Sequence, residues 1–230
     1  MQFNCFLFDF DGTLVDFGKN VNWQVARNQI ADFYIKRGVP KYIVSKYPSN
    51  PFSLIVDTYD TILNAFSLPE AVSIWDEALR LLEEEEVKGA RKATPIPGCM
   101  EVLQWLRQHK LKVGIVSENS SRVVSYLLRR FKLDTLVDVV MARSSRYRMK
   151  PYPDQIFLCL RKIQQSTNTR LISALVGDDA ADVKAGKAAE IYVIIVLTET
   201  REVLKRLLEA QPDCVVESLH ELLALFEKKL

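Results

Sequence analysis

The chain has 230 residues, of which 48% are hydrophobic and 26% charged, and its 31 basic and 29 acidic side chains give a formal net charge of +2. This composition excludes a disordered or collagen-like protein, and the length fits one large domain or a domain with a smaller insertion. The near-neutral balance provides no overall field for nucleic acid, so no nucleic-acid partner is expected. One short basic stretch, Arg143, Arg146, Arg148 and Lys150, could bind a polyanion locally, but a solvated loop is the favoured interpretation for the three arginines.

Targeting and membrane signals are weak in this sequence. The N-terminus has no basic start, and Asp9 and Asp11 interrupt its apolar run, so no secretory signal is expected. The longest apolar stretch, residues 191–197, is far shorter than the roughly 20 residues that span a bilayer. The four cysteines lie far apart, which is typical of buried thiols in a reducing compartment. We therefore predict a cytoplasmic protein without a membrane partner.

The first strand is predicted at residues 3–8, an apolar run that ends in Asp9-Phe10-Asp11-Gly12. Residues 16–96 then contain three successive helical patterns with no convincing strand between them. The third pattern begins at Ser67, which forms a capping-box pattern with Glu70 and could cap the first turn. Four glutamates at residues 83–86 are interpreted as a solvated helix face. An all-helical insertion is therefore expected just after the first strand.

Beyond the insertion, five apolar runs alternate with helical patterns, at residues 112–116, 137–142, 172–176, 191–197 and 214–216. Such alternation predicts a mainly parallel sheet covered by helices on both faces. We predict an α/β core domain formed by residues 1–15 and 97–230, with a helical domain formed by residues 16–96.

Polar residues follow the predicted strands. The carboxyl ends of parallel strands share one edge of the sheet, and ligands bind at that edge. The residues concerned are Asp9, Asp11, Gly12 and Thr13 after the first strand, Ser117, Glu118 and Asn119 after the second, Lys150 after the third, and Asp178, Asp179 and Asp182 after the fourth. These side chains are expected to converge in one cleft.

The carboxylates of Asp9, Asp11 and Asp178 would repel one another in such a cleft. At about 4 Å and an effective dielectric constant of about 20, each pair costs roughly 4 kcal/mol. A hard divalent cation such as Mg²⁺ suits oxygen ligands and would offset this repulsion. Lys150 can add a compact charge for a phosphoryl oxygen, and the Ser117 hydroxyl can donate a hydrogen bond.

The same pattern favours phosphoryl transfer. One carboxylate can act as nucleophile and form an aspartyl phosphate. A second carboxylate two residues later can protonate the leaving oxygen and then accept a proton from water. Gly12 permits the sharp turn between them, and the Thr13 hydroxyl and the turn amides can donate hydrogen bonds.

Four segments resemble the motifs of the haloacid dehalogenase superfamily, in the family's order. They are Asp9-Phe10-Asp11-Gly12-Thr13-Leu14-Val15, Ser117, Lys150-Pro151-Tyr152-Pro153-Asp154 and Gly177-Asp178-Asp179-Ala180-Ala181-Asp182. The resemblance implies a Rossmann-like, doubly wound parallel sheet. The insertion is similar in place and helical character to the cap of the phosphoglycolate phosphatase and β-phosphoglucomutase branch.

The resemblance also implies roles for individual residues. Asp9 would be the nucleophile and a metal ligand, and Asp11 the general acid and base, with its backbone carbonyl on Mg²⁺. Asp178 would complete the metal site. Phosphate binding would fall to Ser117, Glu118, Asn119, Lys150 and Thr13, while Asp182 would support the metal or Lys150. Asp179 is either an additional contact at the metal or a solvated turn residue.

The expected activity is Mg²⁺-dependent hydrolysis of a small phosphate ester, similar to phosphoglycolate or a sugar phosphate. Asp11 argues against a dehalogenase, because an ester intermediate on carbon requires no protonated oxygen leaving group, and against the phosphonate-cleaving branch, which also departs at this position. The alternatives are a phosphotransferase of the phosphoglucomutase type and a non-catalytic binding protein on the same fold.

Cap residues Lys19, Arg27, Lys36 and Arg37 are unranked candidates for substrate contact. The oligomeric state, monomer or homodimer, stays open.

Overall fold

A computed structural model describes residues 3–197, 207 and 209–229. The strands are β1 (Cys5–Phe8), β2 (Val15–Asp16), β3 (Thr94–Pro95), β4 (Lys112–Val116), β5 (Val139–Met141), β6 (Ser173–Gly177), β7 (Tyr192–Val196) and β8 (Cys214–Val216). The helices are α1 (Trp23–Lys36), α2 (Lys41–Val44), α3 (Pro51–Ala65), α4 (Leu68–Ala90), α5 (Cys99–Gln108), α6 (Ser121–Arg130), α7 (Asp154–Gln164), α8 (Ala180–Ala188) and α9 (Leu219–Lys229).

The main sheet of the described residues has six strands in the order β5-β4-β1-β6-β7-β8. Every neighbouring pair is parallel. Strand β1 lies between β4 and β6, with Phe8 opposite Ile115 on one side and Val176 on the other. The loops that follow these three strands therefore leave the sheet side by side. The predicted α/β fold with a parallel sheet is confirmed.

Helices cover both faces of this sheet. On β1, Phe6 and Phe8 belong to the hydrophobic cluster that includes Leu103 of α5. Their neighbours Cys5 and Leu7 point to the opposite face, into a cluster formed with residues of α7 and α8. A strand buried on both faces is continuously apolar, which explains why these strands were visible as solid hydrophobic runs.

The segment between β2 and β3 contains its own hydrophobic cluster, separate from those of the sheet. Ile30 of α1, Leu54 of α3 and Leu82 of α4 are fully buried in it. The prediction of an all-helical insertion holds for this segment, although it has four helices where three were predicted. The additional helix, α2, has four residues, which is too short to show a helical period. At the start of α4, the Glu70 carboxylate accepts a hydrogen bond from the backbone N–H of Ser67 at 3.0 Å, in the predicted capping pattern.

A two-stranded antiparallel ribbon joins the insertion to the sheet. Val15 pairs with Pro95 and Asp16 with Thr94, at the points where the chain leaves and re-enters the core. Strands of two residues show no alternation of side chains, so the sequence did not reveal them.

The interpretation of residues 83–86 as a solvated helix face is wrong for two of the four glutamates. Glu85 is 4% exposed and Glu86 is fully buried. The same error affects Arg143, which was assigned to a solvated loop and is 7% exposed, whereas Arg146 is exposed as predicted. Runs of like charge show how polar a segment is, but they do not show which of its side chains face another part of the fold.

Three of the cysteines, Cys5, Cys99 and Cys159, are buried thiols, in agreement with the prediction. A search of the described helices finds none with the length and apolar character needed to cross a membrane.

Candidate active site

A buried lysine bridges two carboxylates at the carboxyl end of β1. Lys150 Nζ lies 2.6 Å from Asp9 Oδ1 and 2.6 Å from Asp182 Oδ1. Asp9 directly follows β1, and Lys150 lies on the segment after β5, which reaches Asp9 across the end of β4. Burial raises the pKa of Asp9 to about 7 even though Lys150 acts to lower it. Burial disfavours the Lys150 ammonium, but the carboxylates of Asp182 and Asp9 raise its pKa well above the ordinary value.

Three carboxylates at this edge are close enough to share a cation. Oxygen atoms of Asp9, Asp178 and Asp182 all lie within 4.8 Å of one another. Burial, followed by the charges of Asp9 and Asp182, raises the pKa of Asp178 well above its ordinary value. Lys150 alone does not balance the three carboxylates. An all-oxygen donor set with this excess of negative charge fits a hard divalent cation.

The turn after β1 requires glycine at position 12. Gly12 has φ = +91°, and a Cβ there would lie 2.2 Å from Asp178 Oδ2. The next residue, Thr13, is fully buried, and its hydroxyl donates to Asp178 Oδ1 at 2.8 Å. The turn therefore packs directly against the acidic cluster, and the Thr13 hydroxyl orients the Asp178 carboxylate.

The Asp11 carboxylate is held away from that cluster, on the segment that leads into the insertion. Its Oδ1 accepts hydrogen bonds from the backbone N–H groups of Gly18 at 2.9 Å and Phe17 at 3.1 Å. Burial raises the pKa of Asp11 to about 6, against the lowering effect of those two hydrogen bonds. Such a pKa lets the group exchange a proton near neutral pH.

The loop after β4 is tightly bonded to itself. The Ser117 hydroxyl donates to Asn119 Oδ1 at 2.7 Å, and the backbone N–H of Asn119 donates to Ser117 Oγ at 3.1 Å. Glu118 and Asn119 line the same cavity as Asp9 and Lys150. Burial raises the pKa of the Glu118 carboxyl to about 8.

Asp179 and Asp182 organise the start of α8. Asp179 Oδ1 accepts from the backbone N–H of Ala181 at 2.8 Å, as a helix N-cap does. Asp182 Oδ2 accepts from the backbone N–H groups of Asp178 at 3.2 Å and Asp179 at 3.1 Å, while its other oxygen contacts Lys150. Asp182 thus fixes the acidic loop and the lysine together. Asp179 itself is exposed, and the described acidic cluster consists of Asp9, Asp178 and Asp182.

The insertion forms one wall of the cavity above these residues. A space of about 450 Å³ is lined by Asp9 and Lys150 on the sheet side and by Asn50, Phe52 and Ser53 on the insertion side. A second space, of about 1020 Å³, is lined by Asp11, Asn50 and Phe52 among others. Cavities of this size accommodate small molecules.

The residues of the insertion wall were missed by sequence reasoning, which considered only charged residues there. Their signal was weak: Asn50 precedes Pro51 at a helix start, where its side chain accepts from the backbone N–H of Ser53 at 3.0 Å. Of the charged candidates, Lys19 lines the larger cavity. Arg27 instead donates to the backbone carbonyls of Tyr47 and Val44.

Comparisons with known proteins agree with this architecture. The sequence profile of haloacid dehalogenase-like hydrolases matches residues 6–196. Pyrophosphatase PpaX from Bacillus mycoides is 24% identical over 99% of each chain. Phosphonoacetaldehyde hydrolase from Bacillus cereus is 25% identical over 88% of this chain and 78% of its own. The crystal structure of CbbY from Rhodobacter sphaeroides in complex with phosphate shares the fold, with a TM-score of 0.63, 19% identity and 96% of each chain covered.

The profile match covers most of the chain, from β1 to the end of β7, and includes the strand ends that bring Asp9, Lys150 and Asp178 together. The chain therefore belongs to the haloacid dehalogenase-like hydrolase family.

Proposed function

We propose that this hydrolase is a Mg²⁺-dependent phosphatase that acts on a small phosphate ester through an aspartyl-phosphate intermediate. The observation that carries the proposal is the buried contact of Lys150 with Asp9 and Asp182, beside Asp178, at the floor of a cavity of small-molecule size. This site combines a nucleophilic carboxylate with positive charge for the phosphoryl oxygens, which phosphoryl transfer requires.

In the first step, an Asp9 carboxylate oxygen attacks phosphorus, and the bond between phosphorus and the leaving oxygen breaks. Asp11, whose pKa of about 6 leaves part of it protonated near neutral pH, donates its proton to that oxygen. The Lys150 ammonium holds a phosphoryl oxygen and stabilises the Asp9 carboxylate before the attack.

In the second step, Asp11 accepts a proton from a water molecule as the water oxygen attacks the phosphorus of the aspartyl phosphate. The bond between phosphorus and Asp9 breaks, which releases inorganic phosphate and restores both carboxyl groups. We propose that loop 117–120, which brings Glu118 and Asn119 to the cavity, lies beside the phosphoryl group in both steps.

We propose that Asp9, Asp178 and the backbone carbonyl of Asp11 hold Mg²⁺, with Asp182 supporting Lys150. When bound, the cation neutralises negative charge on the phosphoryl oxygens. The excess of carboxylate over ammonium charge at this site supports the assignment.

We also propose that residues 16–96 act as a cap domain over a core formed by residues 1–15 and 97–230. The separate hydrophobic cluster of the insertion and its ribbon connection support this division. A cap that walls the cavity favours a small substrate over nucleic acid or protein. The buried thiols of Cys5, Cys99 and Cys159 support a cytoplasmic location.

Asp11 distinguishes the alternatives within the family. Hydrolysis of a phosphate ester needs a proton for the leaving oxygen, and the position of Asp11 in the cavity lining supports this role for it. The name of the Bacillus cereus relative implies that this protein cleaves a phosphonate. In that reaction the leaving group is a carbon atom, so no leaving oxygen has to be protonated. A phosphoglucomutase-type enzyme would protect its aspartyl phosphate from water and return the group to a sugar.

The test is phosphate release from a panel of small esters, pyrophosphate and phosphonoacetaldehyde, with Mg²⁺ and with chelator. Wild-type protein is compared with Asp9→Asn and with Asp60→Asn, a control at an exposed position on α3. We expect metal-dependent release that Asp9→Asn reduces at least about 1,000-fold and Asp60→Asn leaves intact. Release from phosphonoacetaldehyde alone, or turnover only with a sugar acceptor, would overturn the phosphatase assignment.

A further inference from the structure

A second buried ion pair connects the insertion to the sheet, away from the catalytic carboxylates. Glu86 on α4 and Arg143 after β5 have side chains that are 0% and 1% exposed. Arg143 binds the glutamate with both terminal nitrogens, at 2.8 and 2.9 Å. This bidentate geometry is the strong and directional form of an arginine–carboxylate contact.

We propose that Glu86 and Arg143 are positioning residues that hold loop 117–120 in its phosphate-binding conformation, so that the cap helix itself sets phosphate affinity. The inference rests on the proposed function and extends it to residues outside the family's motif segments. Neither side chain lines the cavity of the Asp9 site, so both act through the loop.

Glu86 holds the loop through its two carboxylate oxygens. Oε1 accepts from the side-chain amide of Asn119 at 3.2 Å, and Oε2 accepts from the backbone N–H of Ser120 at 3.3 Å. Ser120 in turn caps α6, because its hydroxyl accepts from the backbone N–H of Val123 at 3.3 Å. The glutamate therefore ties the end of the loop and the start of the next helix to α4.

Arg143 binds backbone carbonyl groups of the same loop. Its guanidinium donates to the carbonyl of Glu118 at 2.8 Å, and its backbone N–H donates to the carbonyl of Asn119 at 3.0 Å. A further donor reaches the carbonyl of Leu79 on α4 at 3.2 Å. The arginine thus contacts both sides of the junction between cap and core.

The orientation of the Asn119 amide transmits these contacts to Ser117. Because the NH₂ group of Asn119 faces Glu86, its oxygen faces Ser117 and accepts the serine hydroxyl at 2.7 Å. Gln155 adds a bond from its amide to the Ser117 carbonyl at 2.8 Å. The Glu86 carboxylate therefore favours the amide orientation that directs the Asn119 oxygen to Ser117.

Glu86→Gln tests the proposal because it keeps the shape of the side chain and removes its charge. The matched control is Glu85→Gln: Glu85 is the neighbouring buried glutamate, and its carboxylate contacts Lys88 on the same helix. Arg143→Lys is the second variant, since it keeps the positive charge and loses the bidentate contact. The readouts are KM, kcat, the inhibition constant of inorganic phosphate and the thermal midpoint.

We expect Glu86→Gln to raise KM and the inhibition constant of phosphate about tenfold, the effect of about one charge-assisted hydrogen bond. The value of kcat should change less than about threefold, because the loop binds substrate and transition state alike. Arg143→Lys should act in the same direction, and Glu85→Gln should leave phosphate affinity unchanged.

A purely structural role gives a different result. If Glu86→Gln and Arg143→Lys lower only the thermal midpoint, or if Glu85→Gln weakens phosphate binding equally, the proposal is overturned. Calorimetric titration with inorganic phosphate separates this failure from that of the proposed function. If the wild-type protein binds phosphate but hydrolyses no ester, the proposed activity is wrong, and phosphate affinity still tests the role of Glu86. If the wild-type protein neither binds phosphate nor hydrolyses an ester, both proposals are overturned.

Discussion

The two buried ionic clusters of this protein differ in charge balance and in access to the cavity. Around Lys150, the carboxylates of Asp9, Asp178 and Asp182 outnumber the ammonium group that bridges two of them, and the cluster opens into the cavity. Between Glu86 and Arg143 one carboxylate meets one guanidinium, and both are enclosed. Uncompensated charge beside a cavity is suited to binding and chemistry, whereas a matched and enclosed pair is suited to anchoring.

Removing the Lys150 ammonium group from the first cluster should have the largest effect. In Lys150→Met, Asp9 and Asp182 face each other without compensation, so we expect a loss of about 3–5 kcal/mol in the free energy of unfolding together with loss of activity. Chemical denaturation with and without Mg²⁺ measures this. Mg²⁺ should recover part of the stability but not the activity. Wild-type stability in this variant without metal would mean that Lys150 does not balance the cluster.

The second cluster should tolerate removal of both charges better than removal of one. Arg143→Met leaves Glu86 buried and unpaired, at a cost of about 3–5 kcal/mol. Adding Glu86→Gln should recover most of that loss because it removes the unpaired charge, although the single amide oxygen can accept from only one of Asn119 and Ser120. A double-mutant cycle measured by denaturation checks this. Strictly additive losses would show that the pair is not the source of the cost.

Divalent cations should distinguish the two clusters directly. Mg²⁺ at about 100 times its Kd should stabilise the wild-type protein by about 2.7 kcal/mol. Asp178→Asn should abolish this shift in the thermal midpoint, whereas Glu86→Gln should retain it. A shift that survives Asp178→Asn would place the cation elsewhere.

Two glycines with similar backbone angles provide a finer test of the acidic cluster. Gly12 and Gly38 have φ of +91° and +92°, but a Cβ at Gly12 would collide with Asp178, whereas the space around Gly38 is open. Gly38→Ala should cost only backbone strain, about 1 kcal/mol, with activity unchanged. Gly12→Ala should cost more, about 2–3 kcal/mol, and impair both Mg²⁺ binding and turnover. Equal effects of the two substitutions on activity would contradict the close packing of the turn on Asp178.

Much of the fold was predictable because its main strands are buried on both faces and are therefore solidly apolar. The strand at residues 192–196 was visible for this reason. The two-residue strands β2 and β3 and the four-residue helix α2 were missed, since no period can appear over so few residues. The convergence of Asp9, Lys150 and Asp178 was predictable because loops at the carboxyl ends of parallel strands meet at one edge of the sheet.

The burial of charged side chains could not be predicted from the sequence. Glu86 and Arg143 are 57 positions apart, and each lies in a stretch that reads as solvated by composition. Their burial depends on a partner from another part of the chain, which no local pattern encodes. The sequence alone determined the sheet, the inserted helices and the acidic strand ends, because these follow from local periodicity and the geometry of parallel strands. Only the tertiary structure decided which charges are enclosed, because a buried charge is stable only where folding brings its counter-charge and hydrogen-bond donors to it.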